Sequence, residues 1–202
     1  MKFTYKAYGD LLNLLRESDY KICSFHDYSN HNRCAILRHD VDQSLEKAVT
    51  LAEFENRFSV YSTYFILLTS DFYNIASIKN SQITHRIKSL GHNIGLHFDE
   101  VKYYQSTVSI HEAVENEIAI MTDIIGIDIT SVSMHRPSMR TLDADYEFCN
   151  AINTYSKTFI NELNSSQTAV IIGANLQLIS LRAIRSTSCI FLLTLFGTQK
   201  NP

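Results

Sequence analysis

Apolar and polar positions alternate along the chain between two rhythms, one helical and one strand-like. Residues 7–18 (AYGDLLNLLRES) place Leu11, Leu12, Leu14 and Leu15 on one side of a predicted helix. A polar stretch from Asp27 to Arg33 follows. CAILRHDVD then opens as a short apolar run, Cys34 to Leu37, and turns abruptly to charge. That pattern predicts a buried strand whose C-terminal end emerges at a site. Residues 44–57 predict a helix capped by Ser44, with Ala48, Leu51, Ala52 and Phe54 on its apolar face. VYSTYFILL (60–68) predicts a strand, and 81–91 a helix stopped by Gly91. NIGLHF (93–98) predicts a strand ending near a histidine. Residues 107–125 predict a helix with Val108, Ile110 or His111, Val114, Ile118 and Met121 at helical spacing. DITSVSMH (128–135) predicts one more strand, again closed by a histidine. Strand and helix alternate in units of about 30 residues, which predicts an α/β fold with a parallel sheet or barrel. No internal repeat and no interior linker divides it.

Three of the predicted strands end in chemistry: His39-Asp40-Val41-Asp42, His97-Phe98-Asp99-Glu100 and His135-Arg136-Pro137. In parallel α/β folds the carboxyl ends of the strands gather at one rim, so clusters distant in sequence are expected to converge. Aspartate and histidine together suit a divalent metal of the zinc class. Two carboxylates two residues apart on an extended segment point the same way, so one can hold a metal while the other stays available as a base. A single His-Asp pair at a strand end is commonly a cap or a surface ion pair. Three such clusters at the same end of three strands are what point to a site. His31, His85 and His111 fall in loop or helix-surface contexts. His92, after Gly91, reads as a structural hydrogen-bonding residue, and His26 is open between the rim and a structural place.

Composition narrows the partners. The chain has 202 residues, 45% of them hydrophobic, which is enough for one domain with a core. A net charge of -3 gives no basic footprint for nucleic acid or an anionic membrane. Four scattered cysteines, Cys23, Cys34, Cys149 and Cys189, form no C-x-x-C pair and read as reduced thiols. No stretch approaches the roughly 20 apolar residues of a membrane span, and the N-terminus has no signal-peptide pattern, so a cytoplasmic protein is expected.

ILRHDVD, STYF, GHNIGLHFDE and SVSMHRP, in that order, resemble the polysaccharide deacetylase superfamily with its NodB-homology fold, in the branch that writes its first motif H-D-V-D. The likeness spans about residues 20–160. It implies a distorted (β/α) barrel of about seven strands, TIM-like in outline and here incomplete at the C-terminus. It also implies metal-dependent removal of N-acetyl groups from sugars, with Zn2+ as the expected divalent ion. By the same resemblance Asp40 is the catalytic base, Asp42 the metal aspartate and His97 the first metal histidine. The family's second histidine falls four positions later, where this chain has Val101. His135 is the candidate third ligand and Asp99 the alternative. Arg136 lies where the family carries the arginine that orients the base.

The composition shifts near the end. Residues 164–202 contain no Asp, Glu, Tyr or His, although the first 163 residues hold all 21 acids. A hydrophobic terminal helix and strand is one explanation. Another is a frameshift with its point near Phe159–Leu163. Shifted codons let Leu193 to Thr198 encode His-Pro-x-Trp-Tyr, and Leu163 to Leu178 encode a segment with S-D-S and W-R. Both resemble late motifs of the family, in order and in one frame. The expected organisation is therefore a deacetylase-like domain over 1–163 and a divergent tail over 164–202. The run CIFLLTLFG has no gatekeeping charge and is an aggregation hazard.

The function expected is deacetylation of an N-acetylated sugar or polysaccharide precursor, by analogy in surface-polysaccharide synthesis. Two alternatives stand beside it. One is a non-catalytic remnant that binds metal or sugar, favoured by the lack of any histidine after His135. The other is a relative acting on a different amide, such as a small cyclic one.

Overall fold

The computed structural model describes residues 4–159 and the backbone of one further strand, 189–195. Chain order is α1 (Tyr5–Glu17), β1 (Lys21–Cys23), β2 (Cys34–Val41), α2 (Leu45–Arg57), β3 (Thr63–Leu67), α3 (Ile78–Ser89), β4 (Asn93–Phe98), α4 (Ile110–Ile125), β5 (Ser131–Met134), α5 (Met139–Ala144), β6 (Ile152–Asn153) and β7 (Cys189–Leu195). Strands β1 to β6 pair in sequence order and every pairing is parallel, while β7 runs parallel to β2 along Cys34–Asp40. Over the described residues the result is an α/β sheet curled into an incomplete, distorted barrel.

The helices begin where side chains satisfy the first free N–H groups. Thr4, Ser44, Ser77, Ser109 and Ser138 each accept a backbone N–H three residues on. Helix α4 ends at Gly126 in the left-handed region (φ 63°), and the turn into β4 uses Gly91 at φ 94°.

Strand parity sorts the side chains into two layers. On β2, Ala35 and Leu37 pack outward against Tyr8, Leu12 and Leu15 of α1 and Leu51 of α2. Val41, Ile66, Ile94, Leu96, Phe98, Val132 and Met134 join Ala48, Val114 and Met121 in the main core under the helices. The opposite parity faces the interior of the curl. Cys34 and Ile36 there pack with Phe25, Phe65 and Phe159. Gly95 lies under the Phe65 ring, and a Cβ at Gly95 would stand 2.5 Å from Phe65 Cε1 and 2.7 Å from Ser131 Oγ. The bare glycine is what lets the ring cross β4.

Several boundaries differ from the sequence expectation. β2 does not stop at Leu37 but continues to Val41, with Arg38, His39 and Asp40 buried. Charge can enter this strand because each of the three has a partner, described below. β3 and β5 are shorter than predicted, so His135 stands just past its strand. α3 starts at Ile78 rather than 81, behind the Ser77 cap, and α4 starts at Ile110 behind Ser109. The proposed boundary at 163 and most of the 164–202 tail lie outside the described residues. No helix among the described residues is long and apolar enough to cross a membrane.

Candidate metal and catalytic site

The three histidine and aspartate clusters meet at the C-terminal rim. Asp42 follows β2, His97 lies on β4 and His135 follows β5. The separations are 3.1 Å from His97 Nε2 to His135 Nδ1, and 3.3 Å from each of these atoms to Asp42 Oδ1. Pairing levels them: Leu67 on β3 lies beside His97, and His97 beside Ser133 on β5. His97 is almost wholly buried.

Two observations test whether this triangle suits a metal. Asp42 Oδ1 is buried and has no hydrogen-bond partner among the described residues, although two imidazole nitrogens face it. His97 Nδ1 lies 3.2 Å from the Ser133 carbonyl. A carbonyl can only accept, so Nδ1 carries the proton and Nε2 presents its lone pair to Asp42 and His135. Three donors on a tetrahedral ion with bonds of about 2.0–2.1 Å stand about 3.3 Å apart, the spacing found here. The residues fit a small divalent cation. Burial, and then the neighbouring His97, push the His135 imidazole below its ordinary pKa, which favours the neutral, ligating form.

Asp40 stands beside the triangle, with Oδ2 at 3.8 Å from His97 Nε2. It is 2% exposed. Its partner is Arg38, two residues back on the same face of β2. Arg38 Nε and Nη2 reach Asp40 Oδ1 at 3.1 and 3.0 Å, and Nη2 reaches Oδ2 at 2.9 Å. The guanidinium also donates to Ser133 Oγ and to Thr154 Oγ1, the latter at 3.3 Å. The Phe65 and Tyr155 rings lie 5.0 and 5.2 Å from its centre.

This corrects the expectation for Arg136. Its guanidinium pairs with Asp99 rather than Asp40. Asp40 is held by Arg38, the residue just after the apolar run Cys34 to Leu37. The signal was present, since the parity that aligns Asp40 with Asp42 also aligns Arg38. Asp99, the alternative third ligand, is occupied by Arg136 and by the Val101 N–H at 3.3 Å. Among the described residues, the group with metal-ligand spacing is Asp42, His97 and His135.

The remaining histidines sort by contact. His39, on the outward face of β2, meets Glu55 Oε1 at 2.7 Å. Glu55 also accepts from Tyr8, from Ser62 at 2.7 Å and from Tyr64 at 2.8 Å. Burial alone would raise this carboxyl, but His39 and the hydroxyls outweigh it and hold it at about 2. His92 is buried between Ser62 and the Ala52 carbonyl, a structural place. His26 reaches Thr130 at the start of β5, away from the rim.

No family model and no curated protein matches the chain. Solved structures of similar outline include a deacetylase from Streptococcus pyogenes in complex with acetate. It is 11% identical, with 91% of this chain and 77% of that one covered, at a TM-score of 0.49. A CE4 esterase from Streptococcus mutans is 10% identical over 85% and 78% of the two chains, at 0.48. A polysaccharide deacetylase from Bacillus cereus is 13% identical over 80% and 78%, at 0.46.

Proposed function

We propose that this chain is a metal-dependent hydrolase of the polysaccharide deacetylase superfamily, acting on the N-acetyl group of a sugar or polysaccharide precursor. The observation that carries this reading is the Asp42, His97, His135 triangle with a second carboxylate, Asp40, at its edge. On this reading Asp42, His97 and His135 hold the ion, Zn2+ being the best match to the donors. A divalent ion there supplies Lewis acidity toward the acetyl carbonyl and toward water. Asp40 has Oδ2 directed to the triangle and accepts the proton of the attacking water. Arg38 holds that carboxylate in place, because both its oxygens take guanidinium N–H bonds. Arg136 and Asp99 brace the loop that carries His135. The substrate on this reading is a cytoplasmic precursor of a surface polysaccharide.

The test is acetate release from N-acetylated sugars by the zinc-loaded chain. Turnover lost on chelation and in Asp40→Asn is the expected result. Turnover that survives Asp40→Asn removes Asp40 from the role of base.

A second reading is a remnant that binds metal without turnover. It is favoured by the lack of any histidine after His135. We read 164–202 as out of frame, and DNA sequence across codons 155–202 tests that. A single-base shift restores the late histidine and supports the enzyme. An intact frame favours the remnant.

A further inference from the structure

On the outward face of β2, opposite Arg38 and Asp40, lies a second cluster of buried polar groups that the proposed chemistry does not use. Its centre is the Glu55 carboxylate of α2, which is 0% exposed. Oε1 accepts from the Tyr8 hydroxyl of α1 and lies 2.7 Å from His39 Nε2. Oε2 accepts from the Ser62 hydroxyl at 2.7 Å and from the Tyr64 hydroxyl of β3 at 2.8 Å. This carboxyl, held at about 2 in spite of its burial, is ionised and can only accept, so His39 Nε2 carries the proton. His92 extends the cluster toward β4. Its Nδ1 accepts the Ser62 N–H at 3.2 Å, and its Nε2 reaches the Ala52 carbonyl of α2 at 3.0 Å.

The rest of this layer is apolar, with Leu12, Leu15, Leu37, Leu51 and Val60. Apolar side chains of the same volume would stabilise such a layer about as well as a buried ion. What they would not supply is direction. His39 is the register partner of Tyr64, as Asp40 is of Phe65. One carboxylate therefore takes a bond from each strand at the same rung, at the residue directly before Asp40. Side chains alternate along a strand, so a His39 held outward turns Arg38 and Asp40 inward. A slip of one residue would exchange the two faces. Asp42 leaves the sheet three residues beyond the bonded rung.

We infer that Glu55 is a positioning residue for the metal site: through His39 and Tyr64 it clamps the end of β2 to β3, and so sets Asp40 and Asp42 against His97 and His135. It touches neither ion nor substrate. This rests on the metal-dependent reading.

The experiment compares Glu55→Gln with Leu51→Ala in the intact chain. Leu51 packs in the same layer, so its variant reports destabilisation without loss of the clamp. Two readouts are taken: zinc affinity by calorimetry, and amide hydrogen exchange of the metal-free chain. Glu55→Gln is expected to weaken zinc binding about tenfold and to speed exchange most over Arg38–Val41 and Thr63–Ile66. Leu51→Ala is expected to hold zinc as the parent does and to speed exchange evenly over the sheet. His39→Leu should follow Glu55→Gln, whereas His39→Gln, which keeps a donor for the carboxylate, should stay nearer the parent. Equal zinc affinity in Glu55→Gln and the parent, or equal weakening in Glu55→Gln and Leu51→Ala, overturns the clamp. If the parent itself binds no zinc, the metal reading falls and exchange decides the clamp. Faster exchange confined to the β2 and β3 ends in Glu55→Gln then upholds it, and even exchange overturns it.

Discussion

Arg38 and Asp40 lie side by side on one face of β2, joined by three N–H···O contacts of 2.9–3.1 Å and both about 3% exposed at their side chains. Neither group could be buried there alone. Removing the guanidinium leaves a buried carboxylate beside another, Asp42. Arg38→Met is therefore expected to destabilise the chain by about 3–5 kcal/mol. The double variant Arg38→Met with Asp40→Asn should recover a large part of that loss. Urea unfolding of the four proteins measures both. Equal stability of the single and double variants would contradict a coupled pair.

Gly95 makes room for the ring that flanks this arginine. A methyl group there would stand 2.5 Å from Phe65, which must then move against Arg38. Gly95→Ala is expected to cost about 1–3 kcal/mol, the usual range for overpacking. Thermal unfolding reads the cost. An unchanged midpoint would mean that the ring has space the structure does not give it.

Glu55 and Glu117 give the stability curve two opposite slopes. Glu55, at about 2, is below its ordinary 4.5 because His39, Tyr8 and Ser62 overcome the effect of burial. Its ionised form is the favoured one in the fold. That contribution, of the order of 3 kcal/mol, is present above pH about 4.5 and lost as pH falls toward 2. Glu55→Gln should flatten the acid limb, as followed by unfolding between pH 2 and 5.

Glu117 goes the other way. Burial raises it to about 7, against a hydrogen bond from Tyr103 that lowers it and with the Asp99 charge adding to the rise. Its second oxygen has no partner among the described residues. The neutral acid suits the fold, so a penalty builds as pH climbs from about 4.5 through 7, again of the order of 3 kcal/mol. Glu117→Gln is expected to stabilise at pH 8 and to change little at pH 4.5. Stabilisation of the same size at both values would rule out titration as the cause.

The strand ends were legible in the sequence because each carries a histidine, two of them with Asp within two residues, at the end of a predicted strand, and a parallel sheet collects such ends. NIGLHF gave its strand to the residue. The partner of Asp40 was not legible in the same way. An arginine after Leu37 looks like the exit from a buried strand, and only the bonds to Asp40, Ser133 and Thr154 make its burial possible. α5 and β6 span six and two residues, too short for either periodicity to register. The exchange of Arg136 from Asp40 to Asp99 depends on where two loops meet, which spacing along the chain does not record.

The account turns on whether Asp42, His97 and His135 hold a metal. Zinc titration of the intact chain, followed by calorimetry and by metal analysis after desalting, tests this directly. One ion per chain is the predicted result, with affinity at least ~10-fold weaker in His97→Ala and unchanged in Asp40→Asn. No bound zinc, or zinc held equally well without His97, would contradict it.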